Sequence, residues 1–407
     1  MIDWGARAES LLNDLSACSE QGAGVTRLPF TPEHRLAIDL LKARMEQIGL
    51  TVTLDDAGTL VGRLEGPLGS KTLLTGSHQD SVRHGGAYDG IMGVVLPLLA
   101  IEKLQTEGIE LPFSVEVLVF ADEEGVRFPT ALIGSRALAG TFDASVLTMQ
   151  DSQGITIWDA MTAFGLNPDR IEKLARHPSD VIGFVETHIE QGPVLEQAEK
   201  ALGVVTAICG IERHRIELIG ETGHAGTLPM LGRRDALVGA AEIVTEVERL
   251  GQSTPGLRAT VGNLDVSPNV VNAVPSQVTL TAEFRSPNDQ TRQDAGKALH
   301  KFVQMQALRR ELTCNVQKTY AQVAQPCADD LSKSLAQGIA AMGSHSLSLP
   351  SGATHDASAM ADLCPIAMLF VRCRAGVSHK PEEFASADDM GLAISALSEF
   401  LQSAVHP

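Results

Sequence analysis

Hydrophobic positions along the first part of the chain switch between two periods. Over 32–48, Leu36, Leu40, Leu41, Met45 and Ile48 recur at helical spacing on one face, and Gly49 follows as a stop signal. Short β-rich runs come next. Segments 50–54 and 60–64 are spaced to pair as a hairpin across 56–58, and 71–75 is a brief apolar run ending at Gly76-Ser77-His78. Segment 94–104 predicts a buried helix, although Pro97 is awkward inside it. Segment 114–120 is an unbroken β-branched and aromatic run, the pattern of a strand buried on both faces. Segments 181–185 and 366–371 are further apolar strand candidates. Apolar strands alternating with helices predict an α/β domain with a largely parallel sheet.

The pattern changes after about Gly203. Strand candidates at 211–219, 257–264, 278–284 and 313–320 are interleaved with helical stretches at 234–250 and 290–312, the β-α-β-β-α-β order of a ferredoxin-like unit. Helix and strand then return over 329–402. The expected architecture is an α/β sheet domain (1–208 and 327–407) interrupted by a ferredoxin-like α+β domain (209–326).

Composition narrows the function. A chain of 407 residues exceeds one ordinary core, and 44% hydrophobic residues is normal for a globular protein. The formal charge of −18 argues against wrapping nucleic acid or lying on an anionic membrane. A protein this acidic that turned over an anionic substrate would need a local basic pocket. The first thirty residues lack the charged-then-apolar pattern of a signal peptide, and no stretch approaches the roughly 20 apolar residues of a membrane span. Cys18, Cys209, Cys314, Cys327, Cys364 and Cys373 are scattered, as expected of reduced, mostly buried thiols in a cytoplasmic protein.

Candidate chemistry gathers at strand ends. Ser77-His78-Gln79-Asp80 is followed by the glycine-rich turn Gly85-Gly86-Ala87-Tyr88-Asp89-Gly90. His78 suits a metal, with Asp80 accepting its other ring N–H and fixing the tautomer. Asp122-Glu123-Glu124 directly follows the 114–120 strand, and three adjacent carboxylates are costly unless a cation compensates them. His188 follows 181–185, and His379 lies beyond 366–371 in Gly376-Val377-Ser378-His379-Lys380-Pro381. Singly, each motif also fits a solvated turn or a structural histidine. Together, imidazoles and carboxylates at strand ends suit zinc, manganese, cobalt or nickel. Five ligands exceed one tetrahedral site, which implies a bridged pair of ions about 3.5–4 Å apart.

An ordered set of stretches then carries a family resemblance: GSHQDSVRHGGAYDG, ADEEGVRFP, Gly134-Ser135, HIEQGPVLE, GHAGTLPM, PNVVNAVPS followed by Arg285, SGATHDA and GVSHKPEEF. The chain resembles the M20 metallopeptidase family over nearly its whole length. Within it, the resemblance is to the branch of allantoate amidohydrolases, N-carbamoyl-L-amino-acid hydrolases and β-ureidopropionases. His188, where peptidase relatives use an acidic ligand, points to that branch. The resemblance implies that His78, Asp89 and His188 bind one divalent metal and Asp89, Glu124 and His379 the other, with Asp89 bridging. It implies Glu123 as general base to a metal-bridging hydroxide that attacks the carbamoyl carbon, with His224 helping one metal to stabilise the oxyanion. Ammonia and carbon dioxide would be released. His224, Asn272 and Arg285 would hold the substrate carboxylate, with Gln191 and Gly352 lining the pocket.

Two positions depart from the family pattern: Thr59 where asparagine is usual, and Thr354 where glycine is usual. The expected partner is a small ureido carboxylate, and inserted domains of this type commonly form homodimers. An aminoacylase or dipeptidase activity, or a non-catalytic binding protein, are the alternative readings. Allantoate, N-carbamoyl-α-amino acids and N-carbamoyl-β-alanine all remain open as substrates.

Overall fold

The computed structural model describes residues 2–403, which divide into two compact units. The first comprises residues up to Thr206, Cys327–Leu349 and from Thr354 onward; the second comprises Ala207–Pro326 and Pro350–Ala353.

In the first unit, β1 (Thr51–Leu54) and β2 (Leu60–Leu64) form the antiparallel hairpin. They lead to β3 (Thr72–His78), β4 (Ser114–Phe120), β5 (Val181–Ile189) and β6 (Leu202–Ile208). β7 to β10 belong to the second unit: β7 (Gly210–Ile219), β8 (Arg258–Ser267), β9 (Gln277–Ser286) and β10 (Thr313–Gln322). The large sheet is completed by β11 (Gln325–Pro326), β12 (Leu347–Ser351) and β13 (Ile366–Val371). Its order is β1-β2-β4-β3-β5-β13-β6-β11, with β12 also on β6. β4, β3, β5 and β13 run parallel at its centre.

Every residue of β3, β4 and β13 is buried, as the unbroken apolar runs require of a sheet covered on both faces. Helices Trp4–Ser16, Met92–Thr106, Asp329–Ala341 and Ala387–Ser403 share one core with the sheet. Met92–Thr106 is buried on nearly all sides, and that burial tolerates Pro97, whose missing N–H costs one helical hydrogen bond. β3 and β5 extend further than their apolar runs suggested, so His78 and His188 are strand residues. Both continue the ladder because their imidazoles are buried like the apolar residues before them.

The second unit is an antiparallel sheet, β10-β7-β9-β8, with helices Ala236–Ser253 and Asp289–Arg309 packed on one face. Val278, Leu280, Ala282 and Phe284 of β9 face those helices, and the residues between them face the other way.

Backbone contact at Gly93 fixes how the helix meets the central sheet. A Cβ there would overlap the carbonyl oxygen of Thr187, whereas one at Gly262 would meet nothing within 4 Å. Gly93→Ala is expected to destabilise the fold by about 1–3 kcal/mol, the usual range for overpacking, and Gly262→Ala to cost far less. Urea unfolding of both variants checks this.

Candidate metal centre

The Asp89 carboxylate is the hub of the first unit's polar cluster. Its Oδ1 lies 3.1 Å from His188 Nε2 and 3.7 Å from His78 Nε2, while Oδ2 lies 3.2 Å from His379 Nε2. His379 Nε2 is in turn 3.6 Å from Glu124 Oε1. Two overlapping donor sets result, His78/Asp89/His188 and Asp89/Glu124/His379, and in each the ligand atoms lie within 4.8 Å of one another. A third set joins His78 to Glu123 and Glu124.

Local backbone geometry builds this hub. Gly90 has φ +65°, and a Cβ there would overlap the His78 imidazole, so glycine is required for the turn to pass so close. The far nitrogens of two histidines are tied down. His78 Nδ1 is 2.9 Å from the Asp80 carbonyl oxygen, and His188 Nδ1 is 2.9 Å from that of Ile189. With Nδ1–H donating to a carbonyl, each Nε2 is left facing Asp89 as a potential ligand atom, and that of His188 also lies 3.3 Å from the Gly90 N–H.

Asp80 does more than its spacing suggested. Its carboxylate is 3.5 Å from His78 Nδ1, with its own backbone carbonyl nearer at 2.9 Å. Its two oxygens also accept the backbone N–H groups of Glu123 and Glu124 at 3.0 and 3.1 Å. The end of β3 thereby holds the glutamate pair at the end of β4.

Sequence reasoning missed several supports. Glu383 Oε1 accepts the N–H groups of Tyr88 and Asp89, each at 2.9 Å, and Ser378 Oγ lies 2.8 Å from Glu383 and 2.9 Å from Asp89. Beneath the histidines, buried Glu186 accepts from Ser77 Oγ at 2.6 Å and from the Ala357 N–H at 2.8 Å. Glu186, His188 and buried His355 form a further group of potential ligands. Glu383 and His355 lie inside the stretches GVSHKPEEF and SGATHDA, but nothing in their spacing marks them as buried. Of the two departures from the family pattern, Thr59 is fully buried with its hydroxyl unpaired, in a turn whose amide Asp55 accepts at 2.9 Å, and Thr354 is half-buried.

The electrostatics follow from crowding. Burial raises Glu123 well above the carboxylate range and Glu124 to about 7. Burial also raises Asp122 and Asp356. The hydrogen bond to Asp89 lifts His379 to about 9. For His78, burial acts downward, but the carboxylates of Asp80, Glu123 and Asp89 outweigh it and the imidazole is raised. Imidazole and carboxylate donors around buried, mutually repelling carboxylates fit divalent cations.

The other sequence-predicted residues fall in two places. Gln191, half-buried at φ 55°, donates from Nε2 to Asp89 Oδ2 at 2.9 Å, so it meets the metal cluster itself. In the second unit, the loops carrying His224 and Asn272 are laced by Ala225 N–H to the Asn272 carbonyl at 2.9 Å and Val274 N–H to that of Gly223 at 2.8 Å. His224 Nδ1 accepts from the Gly226 N–H at 3.2 Å, which leaves the proton on Nε2 as a donor. Arg285 donates from Nε to Glu283 and from Nη1 to the Gly352 carbonyl, both at 2.8 Å.

Comparison with known proteins places this geometry in a lineage. Residues 72–403 match the model of peptidase family M20/M25/M40. The chain is 37% identical to an N-carbamoyl-L-amino acid amidohydrolase of Geobacillus stearothermophilus, with 97% of each chain covered. It is 36% identical to an allantoate deiminase of Arabidopsis thaliana, covering 97% of this chain and 82% of that one. The crystal structure of an amidase of the hydantoinase/carbamoylase family from Burkholderia multivorans superposes with a TM-score of 0.92 at 32% identity, covering 98% of this chain and 97% of that one.

Metal loading is expected to depend on pH. Imidazole binds a cation only when deprotonated, and His379 titrates at about 9 and Glu124 at about 7 in the protein's own field. Raising pH from 6.5 to 8.5 removes the Glu124 proton and begins to remove that of His379, so the competition from protons weakens and apparent affinity rises over that window, by up to about tenfold per pH unit per displaced proton. Titration of chelator-stripped protein with zinc or manganese at several pH values measures this, and a flat profile contradicts it.

Proposed function

The chain belongs to peptidase family M20/M25/M40, and from that premise we propose that it hydrolyses the carbamoyl C–N bond of a small ureido carboxylate. Relatives it resembles are named as an N-carbamoyl-L-amino acid amidohydrolase and an allantoate deiminase, and it is an enzyme acting on non-peptide C–N bonds. The family is metal-dependent. The observation that carries the finer reading is the division of Asp89, one oxygen toward His78 and His188 and the other toward His379. That division suits two divalent ions, zinc, manganese, cobalt or nickel, sharing Asp89, with Glu124 completing the second ligand set.

Bound there, the cations supply Lewis acidity toward the ureido oxygen and make water a stronger acid near neutral pH. The chain's own groups do the rest. Glu123 sits in the same cluster as Glu124, and burial raises its proton affinity. It takes the proton of the attacking water and returns it to the departing nitrogen. Ammonia leaves, and the carbamate that remains loses carbon dioxide. Asp80 keeps Glu123 in place through its backbone amide. His224, with Nε2–H free, donates to the oxyanion, and Arg285 with Asn272 holds the substrate carboxylate.

The protein is further proposed to be a homodimer through the second unit, with His224 serving its partner's metal centre. Leu231 and Val271, on the two laced loops, are almost fully exposed, and Met230 and Val270 beside them are exposed too, an apolar patch of the kind a two-fold contact buries.

Glu123→Gln keeps shape but cannot take a proton, so kcat for ammonia release from ureido acids should fall by at least about a hundredfold, with metal content nearly unchanged. Glu124→Gln should lower metal occupancy instead. Amine release from peptides without ammonia release from any ureido compound would make the chain a peptidase.

Mixing inactive Glu123→Gln and His224→Ala proteins distinguishes partner from self. If His224 acts across the dimer, mixed dimers contain one intact site, and up to about half of normal per-site activity returns in them for a two-fold pair. No recovery beyond the two parents means that His224 serves its own chain.

A further inference from the structure

One sheet face of the second unit carries more positive charge than its own groups can balance. On β8 and β9, Arg258 pairs directly with Arg285 in antiparallel register. Residues so paired share a face, with Cβ atoms about 4.5–5.5 Å apart, and like charges placed there are destabilising. This face is turned away from the two helices. Glu283 is the carboxylate beside the pair, and it is already committed, accepting from Arg285 Nε at 2.8 Å and from Arg213 Nε at 3.0 Å. Arg258 makes no ion pair or side-chain hydrogen bond among the described residues. The nearest other acidic groups on this face, Glu217 and Asp265, pair with Thr279. That is six residues along β9 from Arg285, about 20 Å away at strand rise. Arg215, paired with Thr281, adds a further positive charge between.

Both charges also act on one neighbour. Burial pushes the Cys209 thiol up to about 11, and Arg258 and Arg285 are the two charges that oppose the rise. Two guanidiniums, Arg213 and Arg285, thus share Glu283, and Arg258 beside them has no carboxylate among the described residues. A single substrate carboxylate on Arg285 would still leave Arg258 uncompensated.

We propose that Arg258 is a specificity-determining residue that, with Arg285, selects ureido acids carrying a second acidic group. The proposal rests on the reading that Arg285 holds the substrate carboxylate. Arg285 has Nε and Nη1 committed within the chain, which leaves Nη2 for the carboxylate next to the ureido nitrogen. Arg258, one strand away, offers an entire planar fork to an acidic group on the substrate side chain. The preferred substrate class is the N-carbamoyl dicarboxylates rather than monoanionic N-carbamoyl amino acids.

The test compares kcat/KM for N-carbamoyl-L-aspartate and N-carbamoyl-L-alanine in the wild-type protein, Arg258→Gln and Arg258→Lys. It adds calorimetric binding of both compounds to the metal-loaded Glu123→Gln protein with and without Arg258→Gln. The wild type should favour the dicarboxylate by about tenfold or more. Arg258→Gln should erase that ratio, mainly through KM, and Arg258→Lys should restore part of it. Equal losses on both substrates, or no wild-type preference, would overturn the proposal. If the wild type hydrolyses neither compound nor any other ureido acid, the functional reading fails. Calorimetry then decides separately: binding of the dicarboxylate that depends on Arg258 upholds the selection, and binding that ignores Arg258, or no binding, overturns it.

Discussion

Everything around the centre follows from one electrostatic constraint: Asp89 is a buried carboxylate that must stay ionised among other buried carboxylates. Asp80, Asp122, Glu123, Glu186 and Asp356 are all buried with it. Such crowding persists only where positive charge or N–H donors compensate each anion. The chain compensates part of it. Asp80 takes two backbone N–H groups, Glu383 takes two more, and Glu186 takes a hydroxyl and an amide. Asp89 keeps three imidazoles, and they hold it well below the usual carboxylate range against burial. Glu123 and Asp356 keep almost nothing, and burial drives both upward. What the chain leaves uncompensated is the charge that divalent cations carry.

The fold supplies the rigidity this arrangement needs. β3, β4 and β5 are parallel neighbours, so their carboxyl ends lie along one edge. His78 ends β3, His188 lies one residue from the end of β5, and Glu123 and Glu124 follow β4 by three and four residues. Asp80 then ties the β3 end to the β4 end, its buried carboxylate accepting two backbone N–H groups. Glu383 brings the chain after β13 to the turn at Asp89, and Gly86 makes room, since a Cβ there would overlap the Glu383 carboxylate. Candidate ligands drawn from distant parts of the sequence are in this way held together by carboxylates that accept backbone N–H groups.

Legibility in the sequence tracked how local each signal was. The 114–120 run and the 366–371 run are read correctly because burial on both faces leaves an unbroken apolar string. The candidate cluster could be gathered from the sequence as a set, since imidazoles and carboxylates at strand ends are weak signals singly but improbable together. Asp80 lies beside His78 as its spacing suggests, but its hold on the Glu123 and Glu124 amides was not legible, because that contact joins two strand ends far apart in the sequence. Glu383, Ser378 and His355 were missed because their burial comes from tertiary packing, and a glutamate in a polar stretch reads as solvated. Arg258 was passed over for a similar reason: its meaning lies in strand register, which no local pattern records.

That register turns on one extra residue. Beyond the bulge, Asn263 pairs with Thr281 and Asp265 with Thr279; before it, Val261 pairs with Ala282 and Arg258 with Arg285. Carried straight through without the bulge, the ladder would set Arg258 opposite Ser286. Ser286 is buried and alternates with Arg285, so it belongs to the helix-packed face. An arginine directed there would be a buried, unpaired charge, at a cost no surface contact offsets. A bulge re-aims the side chains on one side of it while leaving the rest of the ladder intact. Here it turns Arg258 out of the core and onto the face of Arg285. A protein of net charge −18 can in this way concentrate guanidiniums at a single place, by backbone geometry rather than by overall composition.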